Sequence, residues 1–192
     1  MDTKKYNHMR ESIRHAILQD LRGNEQLDQD VVNYFEILLK HEIVTRDEGS
    51  TLHICSYFVA YNPETGKVLL SHHLKSGLWL ITGGHIDPDE MPREAVVREW
   101  QEELGAEIQD EDVQGPFFVS ITPIVYNPKQ PACSVHYDMC FYVESDASDF
   151  NYEEKELGEV RWVTFEEART LSTDGNTRKA LVVLANLVSD HV

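Results

Sequence analysis

Three glutamates, Glu99, Glu102 and Glu103, stand close together in the segment PREAVVREWQEELG, residues 92–105. The spacing suits a helix, and at about 100° per residue the three carboxylates fall within one arc of roughly 100°. Val96, Val97, Trp100 and Leu104 share a separate, apolar arc, so one face is expected to bury while the other presents acid. Like charges four residues apart destabilise a helix by about 0.2 to 0.5 kcal/mol, a cost that calls for a reason. A hard divalent cation supplies one, because magnesium takes a few carboxylate oxygens together with waters and substrate phosphates. Ala95, one turn before Glu99, is expected to leave room for ions on that face. Taken alone, a glutamate-rich helix face is most simply a solvated surface.

The flanking residues change that reading. From Gly84 to Ala106 the chain carries Gly84, Glu90, Arg98, Glu99, Glu102, Glu103 and Gly105 at the seven fixed positions of the pattern G-x5-E-x7-R-E-U-x-E-E-x-G-U, where U is an apolar residue. At average usage of about 5 to 10% per residue type, a chance match is on the order of one in a million. The segment therefore resembles the signature of the Nudix hydrolases. The two U positions hold Trp100 and Ala106 in place of the usual Ile, Leu or Val, and Thr82-Gly83-Gly84 stands where many relatives have Pro-Gly-Gly. The first departure alters packing volume behind the helix, and the second the shape of the loop near the substrate.

The resemblance implies roles for particular residues. The carboxylates of Glu99, Glu102 and Glu103, with the backbone carbonyl of Gly83, would hold Mg2+ or Mn2+. Glu90 and Arg98 would pair to fix the loop against the helix, a role suited to a guanidinium clamp on a carboxylate. Gly84 would allow a tight loop and close backbone approach, and Gly105 would end the helix. A further carboxylate is expected from the loop before Glu159-Val160-Arg161-Trp162. Of Glu153, Glu154 and Glu156, the last has the spacing from Trp162 that relatives use, and it is the expected general base or extra ligand. His85, next to Gly84, is a candidate substrate contact, whereas His72 and His73 have the simpler reading of structural residues. His136-Tyr137-Asp138 begins an expected strand and is more simply structural. Trp79 and Phe58 are read as core.

The elements that must position these groups are legible from periodicity. Apolar residues at Tyr6, Met9, Ile13, Ile17 and Leu21 mark one helical face, and Val31, Val32, Phe35, Leu38 and Leu39 another, with Gly23 and Asn24 between them. A helical hairpin over residues 1–45 is thus expected ahead of a domain over 46–192. Strands are expected at His53–Tyr61, Lys67–His72 and Leu78–Ile81, the last closed by Thr82-Gly83-Gly84, then a helix at Pro92–Leu104. Further strands are expected at 117–124, 135–144 and 159–163, followed by helices at 165–171 and 176–188. The fold class is α+β, because strand and helix do not alternate steadily. The resemblance sharpens it to a Nudix-type α/β/α sandwich around a mixed sheet. The hairpin is expected to contribute packing, substrate selectivity or a homodimer contact.

Composition narrows the function further. With 34 Asp and Glu against 17 Lys and Arg among 192 residues, the formal charge is −17, which repels nucleic-acid backbones and anionic lipid. The expected partner is a small nucleoside-diphosphate-type substrate, its phosphates bound through a divalent ion. Cys55, Cys133 and Cys140 are odd in number and lack paired spacing, so neither a disulfide framework nor a structural zinc is expected. No window reaches the roughly 18 apolar residues of a membrane span, and a cytoplasmic protein is expected. The implied reaction is attack of water on a phosphorus of a diphosphate linkage. The alternatives are an isopentenyl-diphosphate isomerase, against which no cysteine matches convincingly, and a non-catalytic nucleotide-sensing module, against which the intact carboxylate set argues.

Overall fold

The computed structural model describes residues 3–40, 44–46, 50–124, 133–147, 150–152 and 157–189. Along the chain it contains α1 (Thr3–Arg22), α2 (Gln29–Leu38), β1 (Leu52–Asn62), β2 (Lys67–His73), β3 (Leu78–Leu80), β4 (Thr82–His85) and α3 (Pro92–Leu104). A 3-10 turn (Asp110–Asp112) leads into β5 (Val113–Pro123), β6 (Val135–Glu144), β7 (Leu157–Thr164), α4 (Phe165–Leu171) and α5 (Gly175–Ser189).

The sheet is organised by β1. One edge pairs in parallel with β6, from Leu52 opposite Val135 to Tyr61 opposite Glu144, and β5 lies antiparallel on the far side of β6. The other edge of β1 is shared. Cys55–Phe58 pair with β4, whereas only Tyr61 and Asn62 pair with β2, at the hairpin turn. Beyond that turn β2 leaves β1 and takes β7 on one side and β3 on the other. The sheet therefore splays between β4 and the β3–β2–β7 group.

Alternation along the strands assigns two cores. Ile54, Phe58 and Ala60 of β1, with Met139, Phe141 and Val143 of β6, pack against Ile17, Leu21, Phe35 and Leu38 of the hairpin and against Val96, Trp100 and Leu104 of α3. Val59, Tyr61, Val68, Leu70 and Cys140 face the other way, against Ala168, Ala180, Leu181 and Leu184 of α4 and α5. Each fully buried apolar side chain of this size contributes about 1.5 to 3 kcal/mol. Helices thus cover both faces, giving the α/β/α sandwich.

The hairpin is built into this packing. Asp28 caps α2 by accepting from the backbone N–H groups of Asp30 at 3.0 Å and Val31 at 3.3 Å. The Phe35 ring meets Tyr137 of β6 edge-on at 5.2 Å, and Asn24 Nδ2 donates to the Pro116 carbonyl at 2.8 Å.

Three local expectations are corrected. Thr82-Gly83-Gly84 does not close a strand but forms one, β4, because β1 offers a free edge that glycine backbone can approach closely. The strand expected from Phe117 begins at Val113; Gly115 and Pro116 sit where the β5–β6 register shifts. Ala95 lies wholly in the core rather than beside open ion-binding space. Among the described residues, no helix is long and apolar enough to cross a membrane.

Candidate active site

The glutamate helix is set by its ends. Pro92 supplies a fixed φ in the first turn, and Glu94 accepts from the backbone N–H of Met91 at 2.8 Å. At the other end Gly105 adopts a left-handed φ of 68°, which favours glycine. Here the helix lies against β4. A Cβ on Gly84 would come within 2.2 Å of Glu99 Oε1, and one on Gly83 within 2.2 Å of the Ser56 carbonyl oxygen. The two glycines therefore let β4 slip between β1 and the carboxylates.

Arg98 is the hub of the site. Its Nε and Nη2 donate to the two oxygens of Glu90 at 2.8 and 3.0 Å, and Nη2 also donates to the His85 carbonyl at 3.0 Å. Nη1 reaches Glu99 at 2.8 Å and Glu102 at 3.3 Å. Glu90 in turn accepts from the backbone N–H of Asp87 at 2.7 Å, closing the loop onto itself. These carboxylates hold Arg98 firmly protonated, above all through the Glu90 hydrogen bonds. The Glu90–Arg98 pairing is thus present as expected.

The three glutamates differ in setting. Glu99 is only 9% exposed, and burial raises its pKa, opposed by the Arg98 hydrogen bond and charge. The Glu102 side chain is 60% exposed, while Glu103 accepts from the backbone N–H of Gly83 at 3.3 Å. All three line a cleft of about 620 Å³ at the splay of the sheet, with Gly83, His85, Tyr57 and Leu157. Arg46 and Lys75 also line it. Sequence reasoning missed both, since an isolated basic residue in a loop carries no pattern. A depression of about 850 Å³ over Phe118, Arg169, Arg178 and Val182 contains none of these acids.

The donor set fits a hard divalent ion. It is all oxygen, and Glu99 is largely buried, its one cation, Arg98, being shared with Glu90 and Glu102. In the arrangement described, Arg98 and the Gly83 N–H take up these carboxylates. Among the described residues, the groups whose donor atoms already lie within 4.8 Å of one another are His53, His85, Cys133 and His136, and Cys55, His136 and Asp138.

His85 accordingly belongs to a histidine cluster at the cleft as well as following Gly84. His136 also lines the cleft. Burial, reinforced by His53 and Arg46, depresses its pKa to about 4. Asp138 is raised to about 6 by burial and accepts from Ser120 Oγ at 2.9 Å and from Thr122 Oγ1. His73 lines the cleft, and His72 packs on the Trp79 ring at 5.4 Å. Phe58 is core, 5.1 Å from Trp100. Glu153, Glu154 and Glu156 lie outside the described residues, although Leu157, which follows Glu156, reaches the cleft.

Comparison with known proteins agrees with this geometry. The NUDIX domain family model matches residues 51–184. The CTP pyrophosphohydrolase of Escherichia coli K12 is 48% identical over 46 residues, 22% of this chain and 34% of that protein, so the match spans about a third of that relative. Among solved structures, E. coli dihydroneopterin triphosphate pyrophosphohydrolase superposes with a TM-score of 0.61 at 17% identity, covering 70% of this chain and 95% of that one. A MutT protein from Methanosarcina mazei Go1 gives 0.55 at 22% identity, covering 72% and 93%. The NUDIX domain of Shewanella oneidensis NrtR, complexed with ADP ribose, gives 0.55 at 14% identity, covering 70% and 87%. A family match over well more than half the chain, on a sheet and helix that bring its signature residues together, shows that this protein belongs to the Nudix family.

Proposed function

We propose that the protein hydrolyses a phosphoanhydride bond in a nucleoside-diphosphate-linked small molecule, with Mg2+ or Mn2+ as cofactor. The observation that carries this reading is the acidic wall of the cleft. Glu99, Glu102 and Glu103 line it together, anchored by an Arg98 that is itself clamped by Glu90. Held by those glutamates and the Gly83 carbonyl, the divalent ion would polarise the phosphoryl oxygens and lower the pKa of water. To hold an ion, Glu99 and Glu102 would give up Arg98 Nη1, while Glu90 would keep the guanidinium in place through Nε and Nη2.

Arg46 and Lys75 stand in the same cleft and offer positive charge to the phosphates, offsetting a chain that is strongly anionic overall. His85, the candidate substrate contact beside Gly84, lines the cleft. Glu156 takes the proton of the attacking water; it directly precedes Leu157, which lines the cleft. The division into a hairpin, 1–45, and a catalytic domain, 46–192, is kept as part of this proposal. The family match begins at residue 51, and the hairpin contributes core packing rather than metal ligands.

The deciding experiment is a substrate panel of nucleoside triphosphates, ADP-ribose and dinucleoside polyphosphates, assayed with Mg2+ and with Mn2+. Released phosphate or nucleotide is the readout. Turnover that disappears in excess EDTA and returns with either ion is the expected result. Full turnover in EDTA would overturn the metal role, and tight nucleotide binding without turnover would make the protein a sensing module.

A further inference from the structure

Four side chains that no contiguous motif links meet at the border of the cleft. His53 of β1 and His136 of β6 are directly paired across the parallel ladder, and His85 of β4 is paired with Cys55, two residues along β1 from His53. Paired residues point to one side of a sheet, so register alone gathers the three imidazoles. Their ring centroids lie 4.7 Å apart for His53 and His85, and 4.9 Å for each of the other two pairs. Cys133 approaches from the segment before β6, its Sγ 3.9 Å from His85 Nε2. One donor atom of each of the four lies within 4.8 Å of all the others.

We propose that His53, His85, His136 and Cys133 form a second metal site, for a zinc-class divalent ion, separate from the glutamates of α3. Tetrahedral zinc has Zn–N of about 2.0 to 2.1 Å and Zn–S of about 2.3 Å, which places nitrogens about 3.3 Å apart and nitrogen about 3.6 Å from sulfur. The His85 Nε2 to His136 Nε2 separation is 3.3 Å, and the sulfur contact at 3.9 Å needs a shift of only a few tenths of an ångström. Three imidazoles and a thiolate are a soft-to-borderline set that selects zinc over magnesium. The outer shell suits it as well. His53 Nδ1 lies 3.0 Å from the Ser50 carbonyl oxygen, which fixes the tautomer with Nδ1 protonated and leaves Nε2 as the ligand.

The alternative group, Cys55, His136 and Asp138, is a weaker match. It offers three donors rather than four, and burial pushes the Cys55 thiol up, away from thiolate.

An ion at the four-residue site would join β1, β4 and β6 where the parallel ladder begins. It would also reach the clamp, because the carbonyl of His85 accepts from Arg98 Nη2 at 3.0 Å. The site is therefore a staple behind Gly83 and Gly84, holding in position the residue that orients Arg98. It does not depend on the hydrolytic reading, and its test needs no turnover.

The test is a Co2+ and Zn2+ titration of the full chain, prepared without a histidine tag and stripped of metal. With excess Mg2+ present to occupy the carboxylate wall, the expected result is one tightly held Co2+ per chain with the intense visible bands of four-coordinate cobalt and a thiolate-to-cobalt charge-transfer band, all displaced by Zn2+. Cys133→Ser, nearly isosteric at a half-buried position, should abolish the charge-transfer band and weaken Zn2+ binding at least about 10-fold. Glu102→Gln should leave the spectrum as in the parent. A pale six-coordinate spectrum, a spectrum unchanged by Cys133→Ser, or no binding at micromolar Zn2+ would overturn the site. Near-ultraviolet circular dichroism identifies folded variants, and the parent spectrum decides the coordination geometry without any substitution.

Discussion

The two walls that meet at β4 are built from opposite materials. On one side α3 presents carboxylates in a single helical turn and a half, spaced by the helix itself and restrained by Arg98. On the other, three imidazoles and a sulfur arrive from β1, β4, β6 and the segment before β6, spaced by strand register. The first set is hard, charged and open to the cleft through Glu102. The second is built of nitrogen and sulfur, with His53 fully buried and His85, Cys133 and His136 half-buried. The contrast teaches how a fold can set an oxygen donor set and a nitrogen–sulfur donor set a few residues apart. The carboxylates are held by a guanidinium and a backbone N–H at the edge of the cleft, whereas the imidazoles are placed by the ladder. Gly83-Gly84-His85 links them, touching Glu99 and Glu103 at its start and the histidines at its end.

The comparison breaks most visibly if the carboxylate wall is neutralised. Glu102→Gln or Glu103→Gln should lower kcat at least about 100-fold, the scale of one transition-state electrostatic contact. For Glu102, whose side chain is exposed, thermal unfolding should be unmoved. Equal steady-state activity with an unchanged requirement for Mg2+ would place the chemistry elsewhere. A smaller loss, about 10-fold to 100-fold, is expected from Gly84→Ala, because the new methyl group displaces Glu99 Oε1 and small misplacements of reacting groups are costly. Kinetics paired with circular dichroism would show whether the fold survives the loss.

Arg98→Ala tests the clamp rather than the chemistry. It leaves Glu90 and Glu99 without their shared cation, and with Arg98 partly exposed the expected cost is about 1 to 3 kcal/mol of stability. In a chain of this length that is a fall in Tm of roughly 2 to 10 °C. Lysine should restore little, since one ammonium cannot reproduce the two-pronged contact with Glu90. The smallest effect sharpens the contrast from the other side. In excess Mg2+, Glu102→Gln should leave the tight Zn2+ stoichiometry unchanged, and an altered stoichiometry under that condition would show that the two walls bind as one.

The same contrast explains what was legible in the sequence. The carboxylates of α3 are close in sequence, so helical spacing displayed Glu99, Glu102 and Glu103 on one arc and Gly105 as the stop, whereas the Glu90–Arg98 pair came only with the family resemblance that the stretch carries. The limits of α3, β6 and α4 were readable because their periodicity is uninterrupted. His53, His85, Cys133 and His136 carry no such signal, being brought together by a parallel pairing that periodicity does not specify. The absence of paired cysteine spacing, sound as a test for a zinc knuckle, says nothing of ligands gathered by register. β4 was hidden because two glycines read as a break, and Ala95 was misplaced because helical angle alone does not reveal how far β4 wraps over the helix.

The parallel pairing of β1 with β6 has a further consequence for how the chain is made. The partners lie about eighty residues apart, and everything between them, including the whole glutamate helix, leaves the ribosome first. At about 5 to 20 residues per second, β1 waits on the order of 4 to 16 s for the strand that occupies its longest edge. Non-local pairings of this kind form slowly even in a complete chain. Over that interval Ile54, Phe58 and Ala60 can be covered on one face by α1, α2 and α3, all of which precede β6. The N-terminal helices thus act as an early shelter for a nascent strand, and their loss should show first as aggregation during synthesis, before any effect on the finished enzyme.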